Sequence, residues 1–188
     1  YFLYSPVFTV LFAPFAYLPA WLGPFAWNLF NYSLFFMAIF TLPQQFTQQQ
    51  KCRMFLFLLL ILGQSLLSFQ YNITVAYLFL FAYTLLEKDR GFLAVLLIMI
   101  SGCTKVYGIF ELALLLCYPH VWRNFGYAVT MGIVLLALPL IKIAPADLLP
   151  YYEEWCHSLA VHQSAGAYDS FFYARPIAAW TLPHFRAL

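Results

Sequence analysis

The chain has 188 residues, 64% hydrophobic, 21% aromatic and 9% charged, with a net charge of +2. A water-soluble domain carries roughly a quarter charged residues, so nine Lys and Arg with seven Asp and Glu are too few to cover a soluble surface. The composition implies an all-α polytopic membrane protein, and its basic residues, scattered singly or in pairs, exclude a nucleic-acid footprint.

The first apolar stretch, Pro6 to Pro19, covers about 21 Å as a helix. That falls short of the roughly 30 Å hydrocarbon core, and Pro14 interrupts it, so a re-entrant or interfacial helix is expected. Trp21 to Leu42 is the first full span, ending at Pro43 and the glutamine-rich run Gln44 to Gln50. Cys52 to Phe69 is the second, and only Gln70 to Asn72 separate it from a third that ends at Leu86. Glu87 to Arg90 form a tight polar turn. Phe92 to Tyr118 is apolar except for Lys105 and Glu111, and it is long for one crossing. One more span, about Phe125 to Ile143, follows Pro119, His120 and Arg123. The pattern gives five to seven membrane helices, short or re-entrant ones included, over residues 1–143. Residues 144–188 form an extracytoplasmic loop in which Leu148 to Val161 mix apolar and polar residues at helical spacing, as in an amphipathic helix lying on a membrane.

The positive-inside rule sets the orientation. With Lys51 and Arg53 cytoplasmic, Gln70 to Asn72 lie outside, and Lys88 and Arg90 lie inside again. A single crossing from Phe92 to Tyr118 puts Arg123 outside. A hairpin turning near Lys105 returns Arg123 to the cytoplasm and lifts the lysine from the bilayer centre, where a charge costs at least ~2.5–3.5 kcal/mol. The hairpin is the expected form.

Tyr4, Gln70, Asn72, Lys105 and the residues after Ala144 then share the non-cytoplasmic side. Lys105 is a snorkelling cation, the partner of a buried acid, or an anion site. Glu111, six residues on, is about 240° around an ideal helix and off its face. Gln64, Ser65, Ser68, Gln70 and Asn72 form a polar cluster that reads as interhelical hydrogen bonding or as recognition of sugar hydroxyls. The sequon at Asn72 abuts the membrane and is discounted. Asn28 and Asn31, beside Trp27, read as core packing or interface anchoring. His157 and His162, near Trp155, read as solvated surface groups. Cys52, Cys103, Cys117 and Cys156 lack zinc or disulfide spacing. No phosphate-cradling glycine loop, nucleophile elbow or HExxH motif occurs, and neither metal nor cofactor is expected. The sequence starts at Tyr1 within an apolar stretch without a signal-peptide n-region, and so reads as a piece of a longer protein.

The ordered series Leu3-Tyr4-Ser5-Pro6-Val7-Phe8, Pro14, Leu18-Pro19, Trp27-Asn28-Leu29 with Asn31, Gly63-Gln64, Gln70-Tyr71-Asn72 and Gly102-Cys103-Thr104-Lys105-Val106-Tyr107-Gly108 resembles the glycosyltransferase family 87 enzymes, once catalogued as domain-of-unknown-function family 2029. The resemblance runs from about Tyr1 to Arg123. It implies a glycosyltransferase-C-type helical bundle in the bacterial plasma membrane. Such an enzyme moves a hexose, often mannose, from a polyprenyl-phosphate carrier to a hydroxyl of a lipid or glycan acceptor at the extracytoplasmic face. Gln70, Asn72 and Lys105 match the family's Gln-x-Asn and Lys positions, and Tyr4 and His162 join them as candidate donor-phosphate or sugar contacts. Val106 stands where a proline often follows the family lysine. The general base, a carboxylate of the first outer loop, is expected upstream of Tyr1, which leaves this stretch alone inactive. A transporter or lipid-linked-sugar flippase fragment is the rival reading, and a non-enzymatic membrane scaffold is the third.

Overall fold

The computed structural model describes residues 4–67 and 71–164. Proline and glycine punctuation cuts this chain into helices, and among the described residues every regular element is one. Helix α1 (Pro6–Ala16) starts with proline in its first turn, where no N–H is needed, and stops before Pro19. Helix α2 (Leu22–Phe40) ends just short of Pro43. Its last carbonyls are held by Lys51, whose ammonium donates to Leu42 O at 2.6 Å and Phe40 O at 3.3 Å. Helix α3 (Gln48–Leu67) opens on a capping box. Thr47 N–H donates to Gln50 Oε1 at 2.8 Å, and Gln50 N–H donates back to Thr47 Oγ1 at 3.3 Å. Helix α4 spans Asn72–Leu86 and α5 Gly91–Thr104, with Asp89 in the left-handed region (φ 55°) between them.

The run from Phe92 to Tyr118 is broken at Lys105. There the backbone turns extended (φ −138°, ψ 119°), and a 3-10 helix, Val106–Cys117, folds back along α5. Fourteen α-helical residues climb about 21 Å, and twelve residues at the longer 3-10 rise descend about 24 Å. The return therefore reaches the start of α5, where the Tyr118 phenol donates to Glu87. Gly108 permits this approach: a Cβ there would lie 2.5 Å from Ser101 Oγ and 2.6 Å from the Ser101 carbonyl carbon. Helix α6 (Val121–Leu136) then climbs beside α5, starting with Arg123 3.9 Å from Asp89. A short 3-10 turn, Leu138–Ile141, extends it, and α7 (Leu148–Ser164) closes the described chain.

Two apolar clusters hold the bundle. Ala82, Leu86, Val95, Ile98, Leu115 and Ala128 join α4, α5, the 3-10 helix and α6, while Phe35, Ile39, Ile73 and Tyr77 join α2 to α4. Outside them, large apolar side chains remain bare, among them Trp122 at 88% exposure and Phe110 at 77%. Such a surface suits lipid rather than water. Of the expected membrane helices, Val121–Ile141, with 21 residues, combines the length and apolarity to cross a bilayer. The others fall short for identifiable reasons. Pro6–Ala16, Asn72–Leu86, Gly91–Thr104 and Val106–Cys117 are too short, α2 carries Trp27, Asn28, Asn31, Tyr32 and Ser33, and α3 begins with Gln48 to Arg53.

Contacts between elements fix which ends lie together. Gln45 donates to the Tyr83 phenol and Phe46 packs edge-on against the Tyr83 ring, so the α2–α3 connection, with Lys51 and Arg53, sits by the end of α4. Lys88, Arg90 and Arg123 are at that same end. The fold-back at Lys105 stands at the other.

Replacing Gly108 with Ala should destabilise the intact protein by about 1–3 kcal/mol, because the backbone of Ser101 must move. Gly126→Ala, on α6 with nothing within 4 Å of the added Cβ, should be neutral or gain up to about 1 kcal/mol from helix propensity. Thermal unfolding of both variants in one detergent checks this, and equal stability would contradict the close hairpin.

Candidate functional site

The polar residues at the fold-back are assembled by three termini meeting. Helix α5 ends there with unpaired carbonyls, and the segment before α1 satisfies them. The Ser5 N–H donates to Thr104 O at 3.3 Å and the Ser5 hydroxyl to Cys103 O. Helix α4 begins there with orphan N–H groups, and the Tyr71 N–H donates to the Tyr4 phenol at 3.3 Å. Tyr4 in turn stacks on Phe8 at 4.6 Å and meets Tyr71 edge-on at 5.9 Å. Phe8, Phe12, Trp27 and Tyr71 form the aromatic cluster that seats α1 on α2 and α4.

Lys105 projects into this junction. Its ammonium donates to Asn72 Oδ1 at 2.6 Å and lies 4.8 Å from the Tyr107 ring centroid and 5.6 Å from that of Tyr4. The Tyr107 hydroxyl also donates to Asn72 Oδ1, at 2.5 Å. The lysine is thus met by one amide oxygen and two aromatic faces, all electrically neutral. Among the described residues the ion pair is Arg123 with Asp89, at the opposite end. Lys105 lies between the two helical segments rather than within either, and burial lowers its pKa to about 8. It remains a cation at neutral pH. Burial raises the Tyr4 phenol above its ordinary value, so it stays protonated.

Of the residues singled out from the sequence, Tyr4, Asn72 and Lys105 come together. Gln70 lies outside the described residues, as do the side chains of Gln64, Ser65 and His162. Helix α7 runs where an amphipathic helix was expected. Tyr151, Tyr152, Trp155, Ser158 and Leu159 lie half-buried on one face, with Glu153, Glu154 and His157 exposed. Asn31 is a core residue, donating to Trp27 O at 2.7 Å and accepting from Thr74. Glu111 does not approach Lys105 as an ion-pair partner. It is buried on the 3-10 helix and accepts from Ser101 Oγ at 2.9 Å across the hairpin. In the sequence Tyr107 stands only as one residue of the Gly102 to Gly108 series, with nothing of its own to mark it as part of the site.

A cation held by neutral groups, beside amide and phenol hydrogen-bonding groups at the surface of a helical bundle, can receive an anion together with hydroxyl-bearing chemistry. The sequence model of glycosyltransferase family 87 matches residues 2–182. The chain belongs to glycosyltransferase family 87. It is therefore a glycosyltransferase sequence, with sugar donor and acceptor as its substrates, and nothing found favours the transporter reading. The match extends well past Arg123, where the resemblance read from motifs alone stopped. Comparison with curated proteins and with solved structures returned no match.

The stability of the site depends on Asn72, the first residue of α4. Asn72→Asp should stabilise the intact protein by about 0.3–1 kcal/mol, since a carboxylate suits a helix N-terminus and faces Lys105. Asn72→Leu should cost about 1–3 kcal/mol by stranding the ammonium and the Tyr107 hydroxyl. Identical thermal midpoints for both variants and the parent would contradict the shared Asn72 acceptor.

Proposed function

We propose that the intact family 87 enzyme is a glycosyltransferase-C-type hexosyltransferase of the bacterial plasma membrane. It transfers a sugar, mannose by preference, from a polyprenyl-phosphate carrier to a hydroxyl of a lipid or glycan acceptor. In this reading residues 1–143 are the membrane-helical region and 144–188 an extracytoplasmic loop. The end bearing Lys51, Arg53, Lys88, Arg90 and Arg123 faces the cytoplasm, and the fold-back at Lys105 faces out. The supporting observation is the unneutralised cation: Lys105 is bound to Asn72 and two tyrosine rings, with no carboxylate beside it among the described residues.

The acceptor oxygen attacks the anomeric carbon, the bond from that carbon to the phosphate oxygen breaks, and its electron pair leaves with the lipid phosphate. The hydroxyl proton passes to a carboxylate, which in this reading belongs to the enzyme's first outer loop. Lys105 meets the negative charge that grows on the departing phosphate. Asn72 and Tyr107 hold the ammonium in place between turnovers, Tyr4 closes the junction, and Gln70 and His162 are assigned to sugar or phosphate contact.

Lys105→Met in the intact enzyme should slow transfer by about 10²–10³, the scale for removing one preorganised transition-state donor, with protein yield maintained. Lys105→Arg should restore part of the rate, because a planar fork replaces a compact ammonium imperfectly. Near-parental transfer by a well-folded Met variant would remove Lys105 from the chemistry. The lysine's lowered pKa also gives a pH signature. The protonated form dominates below about 8, so transfer should decline as pH rises through that value, and the arginine variant should show no decline there. An unchanged alkaline limb in Lys105→Arg would assign the titration to another group.

A further inference from the structure

A second cation stands at the same end of the bundle, away from the Lys105 site. Helix α1 carries two working faces: Phe8 and Phe12 point to the aromatic cluster, while Thr9, Ala13 and Tyr17 line an open groove. The far wall is Pro139 and Lys142, just after α6, with Tyr151 of α7 closing the groove. Lys142 follows directly on Val121–Ile141, the helix with the length and apolarity to cross a bilayer. Its ammonium lies 5.9 Å from the Tyr17 ring centroid. No acid lines the groove, and among the described residues Lys142 has no ion-pair partner.

These features set the ligand chemistry. A lysine at the end of a membrane helix is level with lipid headgroups, and one that only snorkels needs neither a groove nor phenols beside it. Here the cation stands by the Tyr17 ring in a groove that Tyr151 and Thr9 also line, and the Thr9 hydroxyl, which donates to Pro6 O at 2.7 Å, keeps a lone pair to offer. The walls between are aliphatic. A single negative charge attached to an apolar chain complements all of them, whereas a free inorganic anion would leave the apolar walls unused.

We propose that the groove between α1, the end of α6 and α7 is a binding site for an anionic phospholipid, with the headgroup phosphate on Lys142 and an acyl chain against Ala13 and Pro139. It rests on the membrane orientation proposed above and is independent of what Lys105 does. The site lies on the reverse face of the helix whose Ser5 end is tied to the Lys105 hairpin. Bound lipid there would brace α1 and steady the donor site from behind.

The test uses the intact enzyme, purified in detergent and supplied with phosphatidylglycerol or phosphatidylcholine, with lipid retention read by native mass spectrometry. The parent should retain phosphatidylglycerol in preference to phosphatidylcholine. Lys142→Gln should lower that retention about five-fold, the scale of one lysine contact at an anionic surface. Ala13→Leu, which fills the groove but leaves the charge, should lower it as well. Lys88→Gln, at the opposite end of the bundle, should retain lipid as the parent does. Parental retention by both groove variants would overturn the site, and so would an equal loss in Lys88→Gln, which would mean diffuse charge. Displacement of the lipid by millimolar inorganic phosphate would overturn the lipid assignment in favour of a simple anion site.

Discussion

A lysine cannot rest at the middle of an apolar helix, and the architecture turns on how this chain avoids that. A charge left at bilayer depth costs at least ~2.5–3.5 kcal/mol. The sequence before it, Ser101-Gly102-Cys103-Thr104, is made of weak helix formers. The helix therefore gives way at Lys105, and the chain returns as a 3-10 helix whose greater rise lets twelve residues retrace fourteen. Because the chain doubles back, α6 starts beside the α4–α5 turn and the basic residues collect at one end. Had it crossed once, Arg123 would stand at the opposite end and Lys105 would be left at the bilayer centre.

The break creates a new problem that the fold also solves. It exposes the last carbonyls of α5 close to the first N–H groups of α4, and neither set has partners within its own helix. Ser5 takes the carbonyls and Tyr4 takes the Tyr71 N–H. The short α1 is held by this exchange together with the edge-on packing of Phe8 against Trp27 and Tyr71 and of Phe12 against Trp27. A helix too short to span thus has a structural role, carrying Tyr4 to the lysine and closing one side of the site. The cation that broke the helix is left facing neutral acceptors and π faces, an environment that keeps its charge available.

Much of this was legible from simple patterns. Counting basic residues between apolar runs predicted the turn near Lys105, and sidedness alone brought Lys105 and Asn72 to one end. Proline and chain length marked α1 as too short to cross. What escaped were relations that arise only once segments fold together. Glu111 was placed by its angle on a continuous α-helix, but the limb is 3-10 and reversed, so its carboxylate meets Ser101 across the hairpin. Lys51 counted in the sequence only as a basic residue of the cytoplasmic side, but in the fold it is 8% exposed and caps α2 through Leu42 and Phe40. Tyr107 carried no separate signal, because a tyrosine in an apolar run looks like packing until its hydroxyl finds Asn72. Lys142 was hidden similarly, as a lone basic residue at a span end whose groove depends on α1, α6 and α7 together.

The fold-back at Lys105, with all that it places at each end, is the central claim. It is tested most directly by two-sided cysteine labelling of the intact, membrane-embedded enzyme, with single cysteines at positions 90, 107 and 123 in a cysteine-free background. The account predicts that a membrane-impermeant thiol reagent reaches position 107 from the outside only, and positions 90 and 123 from the cytoplasmic side only. Labelling of position 123 from outside, with position 90 still cytoplasmic, would mean a single crossing between them and would contradict the hairpin.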